Sequence, residues 1–167
     1  MSIYLKEFEF ENPPKQISYL DKEPLKLTNE FLFFHNKSKF RNLITQLQLL
    51  IKSYTNAPLH AAGIRDSYLK EEYSENFLII LFTNSKTVKS ANSFLEAYSD
   101  IKIKPGCFYL ETTSSYMLLL SSEMNGLTLG IEIMKEILKQ VLNDYMNQKK
   151  FDDYIKIRPF RLSNCSN

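Results

Sequence analysis

The residues in this 167-residue chain that could do chemistry are few and scattered. His35 and His60 are the only imidazoles, and imidazole is the side chain best suited to moving a proton near neutral pH. Neither stands in a His-Glu-x-x-His arrangement or at ligand spacing from Cys107 or Cys165, so no zinc site and no other cofactor are expected. His35 closes the apolar run Phe31 to Phe34 and reads as a strand-end residue. His60 falls in a stretch read as loop, where an enzyme site would need it to converge with Arg65 and Asp66. The pairs Glu71-Glu72 and Asp152-Asp153 have the right groups for acid and base work, but sequence neighbours need not share a pocket, and they read as solvated. A Gly-x-Ser-x-Gly elbow and a phosphate-binding Gly-x-x-x-x-Gly-Lys loop are both missing, which removes the commonest hydrolase and nucleotide signatures. The chain is therefore expected not to be an enzyme.

Two features have a binding reading beside a structural one. Gly126 and Gly130 sit near the start of an apolar periodic run, where free N–H groups can hold an anion. Two glycines four apart also share one helical face and let a helix approach a sheet closely, and that packing reading is the better one. Between Lys149 and Arg161 there are five basic residues against two acidic ones. Lys149, Lys150, Tyr154, Lys156, Arg158 and Arg161 make the best candidate for a partner surface, although lysines at a helix end also answer the helix dipole.

The totals bound the rest. A domain near this length buries roughly 68 to 70% of its unfolded surface and folds without staples. Basic residues number 21 and acidic residues 19, a net charge of +2 that gives no general drive toward nucleic acid or anionic lipid. Two cysteines without metal spacing are weak evidence for a bridge, and two free thiols are expected. No apolar run reaches the roughly 18 residues a bilayer span requires, and the N-terminus does not look like a signal peptide. The expected compartment is the cytoplasm, and the expected partner is a protein, with neither nucleic acid nor membrane involved and the oligomeric state left open.

These residues must be positioned by strands and helices legible from periodicity. Phe8 and Phe10 alternate with Glu7, Glu9 and Glu11, which predicts a short strand that Pro13-Pro14 ends. Gln16 to Leu20, Leu25 to Leu27 and Glu30 to Phe34 are further strand candidates. Ser38 caps a helix whose stripe is Phe40, Leu43, Ile44, Leu47, Leu50, Ile51 and Tyr54. Leu59 to Asn76 lacks periodicity and reads as loop or broken helix. Phe77 to Phe82, six apolar residues in a row, predicts a central strand. A second helix follows over Thr87 to Tyr98, then a brief strand at Ile101 and Ile103. Cys107 to Thr113 and Tyr116 to Ser122, separated by Ser114-Ser115, form a hairpin. A third helix runs through Ile131, Met134, Ile137, Leu138, Val141, Leu142 and Tyr145. The last strand is Ile155 to Ile157. The fold class is α/β (α+β): one domain over 1–167, a mixed sheet with three main helices packed on it, an extension over 1–15 and a polar tail over 162–167.

Phe108-Tyr-Leu-Glu, the hairpin strand Tyr116-Met-Leu-Leu-Leu-Ser-Ser, and Gly126-Leu-Thr-Leu-Gly130 leading into Met134-Lys-Glu-Ile-Leu138 resemble the end of a known domain. It is the noncatalytic N-terminal α/β (zincin-like) domain that precedes the barrel in family 20 glycoside hydrolases, the β-N-acetylhexosaminidases. Ile155-Lys-Ile-Arg-Pro-Phe-Arg161 faintly resembles the strand leading into that barrel. The resemblance implies a noncatalytic accessory or interaction module associated with carbohydrate processing. The family's adjacent Asp-Glu catalytic pair lies in the barrel, outside the matching residues, so no catalytic residue carries over. The alternative is a small inhibitor or immunity-type protein whose Phe and Tyr side chains form a contact patch.

Overall fold

The computed structural model describes residues 7–27, 32–35, 41–55, 60–63, 77–82, 103–147 and 155–165, with side chains over 7–26, 41–54, 103–147 and 155–165. In chain order the elements are β1 (Gln16–Tyr19), β2 (Leu25–Leu27), β3 (Leu32–His35), α1 (Arg41–Thr55), β4 (His60–Gly63) and β5 (Phe77–Phe82). Then come β6 (Cys107–Thr112), β7 (Tyr116–Ser121), α2 (Met124–Met146), β8 (Ile155–Ile157) and β9 (Phe160–Cys165). Seven strands form one sheet in the order β1-β9-β6-β7-β5-β3-β4, and β2 pairs with β8 in a separate two-stranded ribbon. The pairings β1–β9, β9–β6 and β6–β7 are antiparallel, and β7–β5, β5–β3 and β3–β4 are parallel. β7 is thus the strand at which the sheet changes sense.

The hairpin forms because Ser114-Ser115 leaves two bridging residues between β-prone runs. Thr113 N–H donates to the Tyr116 carbonyl at 2.8 Å, and Thr113 Oγ1 accepts from Ser115 N and Tyr116 N at 3.2 Å each. Alternation along the strands then sorts side chains by face. Phe108, Leu110, Met117, Leu119, Phe160 and Leu162 belong to the main core together with Leu127, Ile131, Met134, Ile137, Leu138 and Leu142 of α2. α1 packs against α2 and adds Ile44, Leu47 and Ile51, while Leu25, Ile155 and Ile157 bring the β2–β8 ribbon into the same core.

Gly126 and Gly130 are where α2 meets the hairpin. A Cβ at Gly126 would collide with the Cys107 carbonyl, and one at Gly130 would lie 2.6 Å from Leu119 Cδ1. The packing reading of this pair is therefore the one the structure supports. The helix is capped by Glu123, whose Oε1 accepts from Gly126 N at 2.8 Å and from Gly106 N at 2.6 Å. Gly106 supplies the left-handed turn, φ 81°, that brings its N–H there.

Several expectations need correction. Residues 7–10 are extended chain without strand pairing, for the reason given below. His60–Gly63, read as loop, is edge strand β4 beside β3: parallel backbone pairing forms this four-residue strand without any alternating pattern. Residues 162–165, read as a polar tail, belong to β9, whose neighbours β1 and β6 pair with its backbone whatever its side chains. Two helices, not three, stand among the described residues; the one expected over Thr87 to Tyr98 lies outside them, as do Ser38 and Ile101. Ile103 is in no strand. Cys107 and Cys165, expected as free thiols, form a disulfide, because the β6–β9 register sets them directly opposite each other. Linear spacing could not show this: 58 residues separate them.

Two outcomes test this frame. Glu123 sits below its ordinary carboxylate value because of the N–H donors of Gly106, Gly126 and, less strongly, Asn125. Such a depressed group adds stability above its unfolded value and loses it as pH falls through the folded value. Between pH 6 and pH 3 the melting temperature should therefore fall more for the wild type than for Glu123→Gln, measured by circular dichroism. Reducing the Cys107–Cys165 bridge, which closes a loop of 58 residues, should remove about 4 kcal/mol. That is a drop in melting temperature on the order of 10 °C, and thiol titration before reduction should find no free cysteine.

Candidate functional site

The segment before β1 explains why Phe8 and Phe10 alternate with glutamates although no strand forms. Its backbone is held by side chains instead of a neighbouring strand. Phe8 N–H donates to Tyr19 Oη at 2.8 Å, Glu9 N–H donates to Gln140 Oε1 at 2.7 Å, and Gln140 Nε2 donates back to the Glu9 carbonyl at 2.6 Å. Glu11 N–H donates to Glu136 Oε1 at 3.2 Å, and Lys15 N–H to Asn164 Oδ1 at 3.2 Å. The spacing has a simple cause. Two residues of extended chain span about 6.6 Å, one helical turn of four residues about 6 Å, so Glu9 and Glu11 fall in step with Gln140 and Glu136 of α2. We call residues 7–11 the strap.

The alternating phenylalanines face the body. The Phe8 ring lies 5.4 Å from Phe160 in an edge-to-face arrangement, 5.9 Å from Tyr19 and 6.4 Å from Phe10. Both strap phenylalanines are half-buried against the core, and such aromatic pairs prefer this tilted geometry.

Beside the strap lies a cleft of about 240 Å³ lined by Glu7, Phe8, Glu9, Gln140, Val141, Asn143, Asp144, Lys156 and Arg158. Three carboxylates thus face two cations across one depression. The Arg158 guanidinium carbon stands 4.3 Å from the Tyr19 ring centroid, a cation–π geometry. Burial raises the Tyr19 phenol above its ordinary value; the Phe8 N–H opposes this, Glu7 adds to it and Arg158 counters it.

Of the residues expected to make a partner surface, the structure brings Lys156 and Arg158 to this cleft and separates Arg161 from them. Arg161 lies on the opposite face of the sheet, where its Nε contacts Glu111 Oε1 at 2.8 Å. The Tyr109 hydroxyl donates to that same oxygen at 3.0 Å. Burial first, then the neighbouring Glu111 carboxylate, pushes the Tyr109 phenol well up, and Arg161 only partly offsets them. Glu111 is 4% exposed, so this cluster is an anchored ion pair rather than an open pocket. Lys149, Lys150 and Tyr154 lie outside the described residues, as do Arg65 and Asp66. His60 opens β4, and His35 ends β3 opposite Gly63. Among the described residues no group of three or more His, Cys, Asp or Glu could hold a metal, and no helix is long and apolar enough to cross a membrane.

Sequence reading missed Tyr19, Glu136 and Gln140. The signal was present as two polar residues four apart on the wet side of α2, matched to a two-residue alternation in the strap. Nothing in the linear sequence ties one to the other.

The fold has counterparts among known structures. It superposes on a family GH20 exo-β-N-acetylglucosaminidase from Vibrio harveyi with a TM-score of 0.58 at 8% identity, over 91% of this chain and 18% of the enzyme. A β-hexosaminidase from Streptomyces plicatus gives 0.59 at 8% identity, over 90% of this chain and 25% of that one. The chain shares its fold with a segment of GH20 hexosaminidases. CpGH84D also superposes on it, with a TM-score of 0.62 at 15% identity over 96% of this chain and 24% of that one. This chain thus spans between 18 and 25% of the length of these structures. No protein-family model and no curated protein matches the sequence.

The strap contacts predict a measurable outcome. Gln140→Ala removes both bonds to the Glu9 backbone and should cost about 1–2 kcal/mol. Hydrogen exchange at the Glu9 amide should rise while the β6 and β7 amides stay protected.

Proposed function

We propose that this chain is a noncatalytic α/β accessory module of carbohydrate processing that acts by binding a protein partner. The observation that carries the reading is the fold: nearly the whole chain corresponds to a minor part of glycosidases whose names describe hexosaminidase activity. Two of the described carboxylates add support, since they are spent on structure. Glu123 caps a helix, and Glu111 anchors Arg161 and Tyr109. The cleft beside the strap, with Lys156 and Arg158, is the surface this reading assigns to the partner.

The inhibitor alternative rests on the abundance of Phe and Tyr and needs them in an exposed contact patch. Among the described side chains no Phe or Tyr is exposed, and the exposed large apolar residues are Leu49 and Met146.

Purified protein incubated with chromogenic N-acetylhexosaminides should show no turnover above buffer. The tagged chain, recovered gently from its host, should bring down a second chain with glycosidase activity at fixed stoichiometry. Turnover that follows this chain through purification overturns the noncatalytic claim, and a fixed-stoichiometry partner without glycosidase activity overturns the accessory role.

A further inference from the structure

The strap is bound to the body as a peptide ligand is bound to a receptor. Each polar contact between them reads a strap main-chain group: the N–H of Phe8, both groups of Glu9 and the N–H of Glu11. The apolar contacts read the alternate rings of Phe8 and Phe10. Main-chain bonds for affinity and pockets for alternate side chains for specificity are the ingredients of extended-peptide recognition. Here a helix face, stepping once per turn, does what a sheet edge does elsewhere. None of these contacts depends on the strap being joined to β1.

We propose that the groove formed by Tyr19, Phe160, Glu136 and Gln140 is a peptide-recognition site, filled in cis by the strap and open in trans to an extended partner segment of acidic-Phe-acidic-Phe pattern. The aromatic positions follow from Phe8, seated against Phe160 and Tyr19, and from Phe10, packed against Phe8 and the core. The acidic positions follow from Lys156 and Arg158, which line the cleft beside Glu7 and Glu9. The occupant is therefore a partner segment with the strap's own chemistry, and the strap competes with it. Local opening costs little: residues 7–10 pair with no strand, and the link to β1 runs through exposed Glu11, Asn12 and Pro13. Segments held this lightly open at far lower free energy than core strands. The inference rests on the reading of the chain as an interaction module and supplies the chemistry of the partner.

The test uses a fluorescein-labelled peptide Glu-Phe-Glu-Phe-Glu-Asn-Pro, the sequence of residues 7–13, and full-length protein. With the wild type the strap competes and binding should be weak. With a chain carrying Phe8→Ser and Phe10→Ser the groove is released, and anisotropy should report at least tenfold tighter binding. Adding Gln140→Ala to that chain should reverse at least tenfold of the gain, as should serines at the two phenylalanine positions of the peptide. Equal affinity for wild-type and released chains, or no binding to a released chain whose circular dichroism matches the wild type, overturns the proposal. Should the double variant fail to fold, hydrogen exchange on the wild type decides. The amides of Phe8, Glu9 and Glu11 should exchange at least a hundredfold faster than those of β6 and β7, and exchange at the same rate as the sheet overturns an openable strap. A chain that binds the peptide but no glycosidase keeps this site and loses the accessory role; the opposite result does the reverse.

Discussion

The close approach of α2 to the β6–β7 hairpin is the constraint on which the other contacts depend. It is possible only because Gly126 and Gly130 have no side chains where Cys107, Phe108 and Leu119 come nearest. Once the helix lies at that distance, its apolar stripe reaches Phe108, Leu119 and Leu162, and α1 and the β2–β8 ribbon pack around it. The wet side of the same helix is then fixed in space. That is what sets Glu136 and Gln140 at the height where the strap can meet them.

Charge is handled differently on the two faces of the sheet. On the face away from α2, Glu111 is nearly fully buried and held by Arg161 and Tyr109, so its cost of desolvation is offset by charge-assisted hydrogen bonds. Beside α2, Glu7, Glu9 and Asp144 remain exposed around the cleft, with Lys156 and Arg158 half-buried between them. The first arrangement specifies structure; the second keeps its carboxylates at the surface, where a partner can reorganise them at little cost. The basic run read as a single surface is thus divided between elements, with Arg161 of β9 serving the first purpose and Lys156 of β8 and Arg158, between the two strands, the second.

What was legible in the sequence followed from periodicity. The stripe from Ile131 to Tyr145, the hairpin around Ser114-Ser115, the run Phe77 to Phe82 and the helix ending at Tyr54 all appear within a residue or two of their expected limits, because each pattern is local. The misses share one cause. β4 and the second half of β9 have no amphipathic pattern and become strands only by backbone pairing with neighbours far away in sequence. The disulfide depends on a register between β6 and β9 that spacing cannot reveal. Phe8 and Phe10 carried a true period of two, but the partner of that alternation is a helix, and period alone does not say what an extended segment pairs with. The candidate site was half legible for the same reason: its cations stand in one run, while Tyr19, Glu136 and Gln140 meet them only through the fold.

The bridge between Cys107 and Cys165 also sets how the sheet would respond to being pulled from its ends. β1 and β9 are antiparallel neighbours, with Gln16 opposite Ser163 at the outer end and Tyr19 opposite Phe160 at the inner end. Tension applied to the two chain ends would enter at that outer end and part the pairs one after another, as a zipper opens, at low force. The same tension would peel β9 from β6 starting at Cys165, but there the covalent link stops it at the first residue. The link encloses residues 107–165, so β6, β7, α2, β8 and β9 stay closed behind it, while β1 to β5 and α1, which precede Cys107, lie outside its protection.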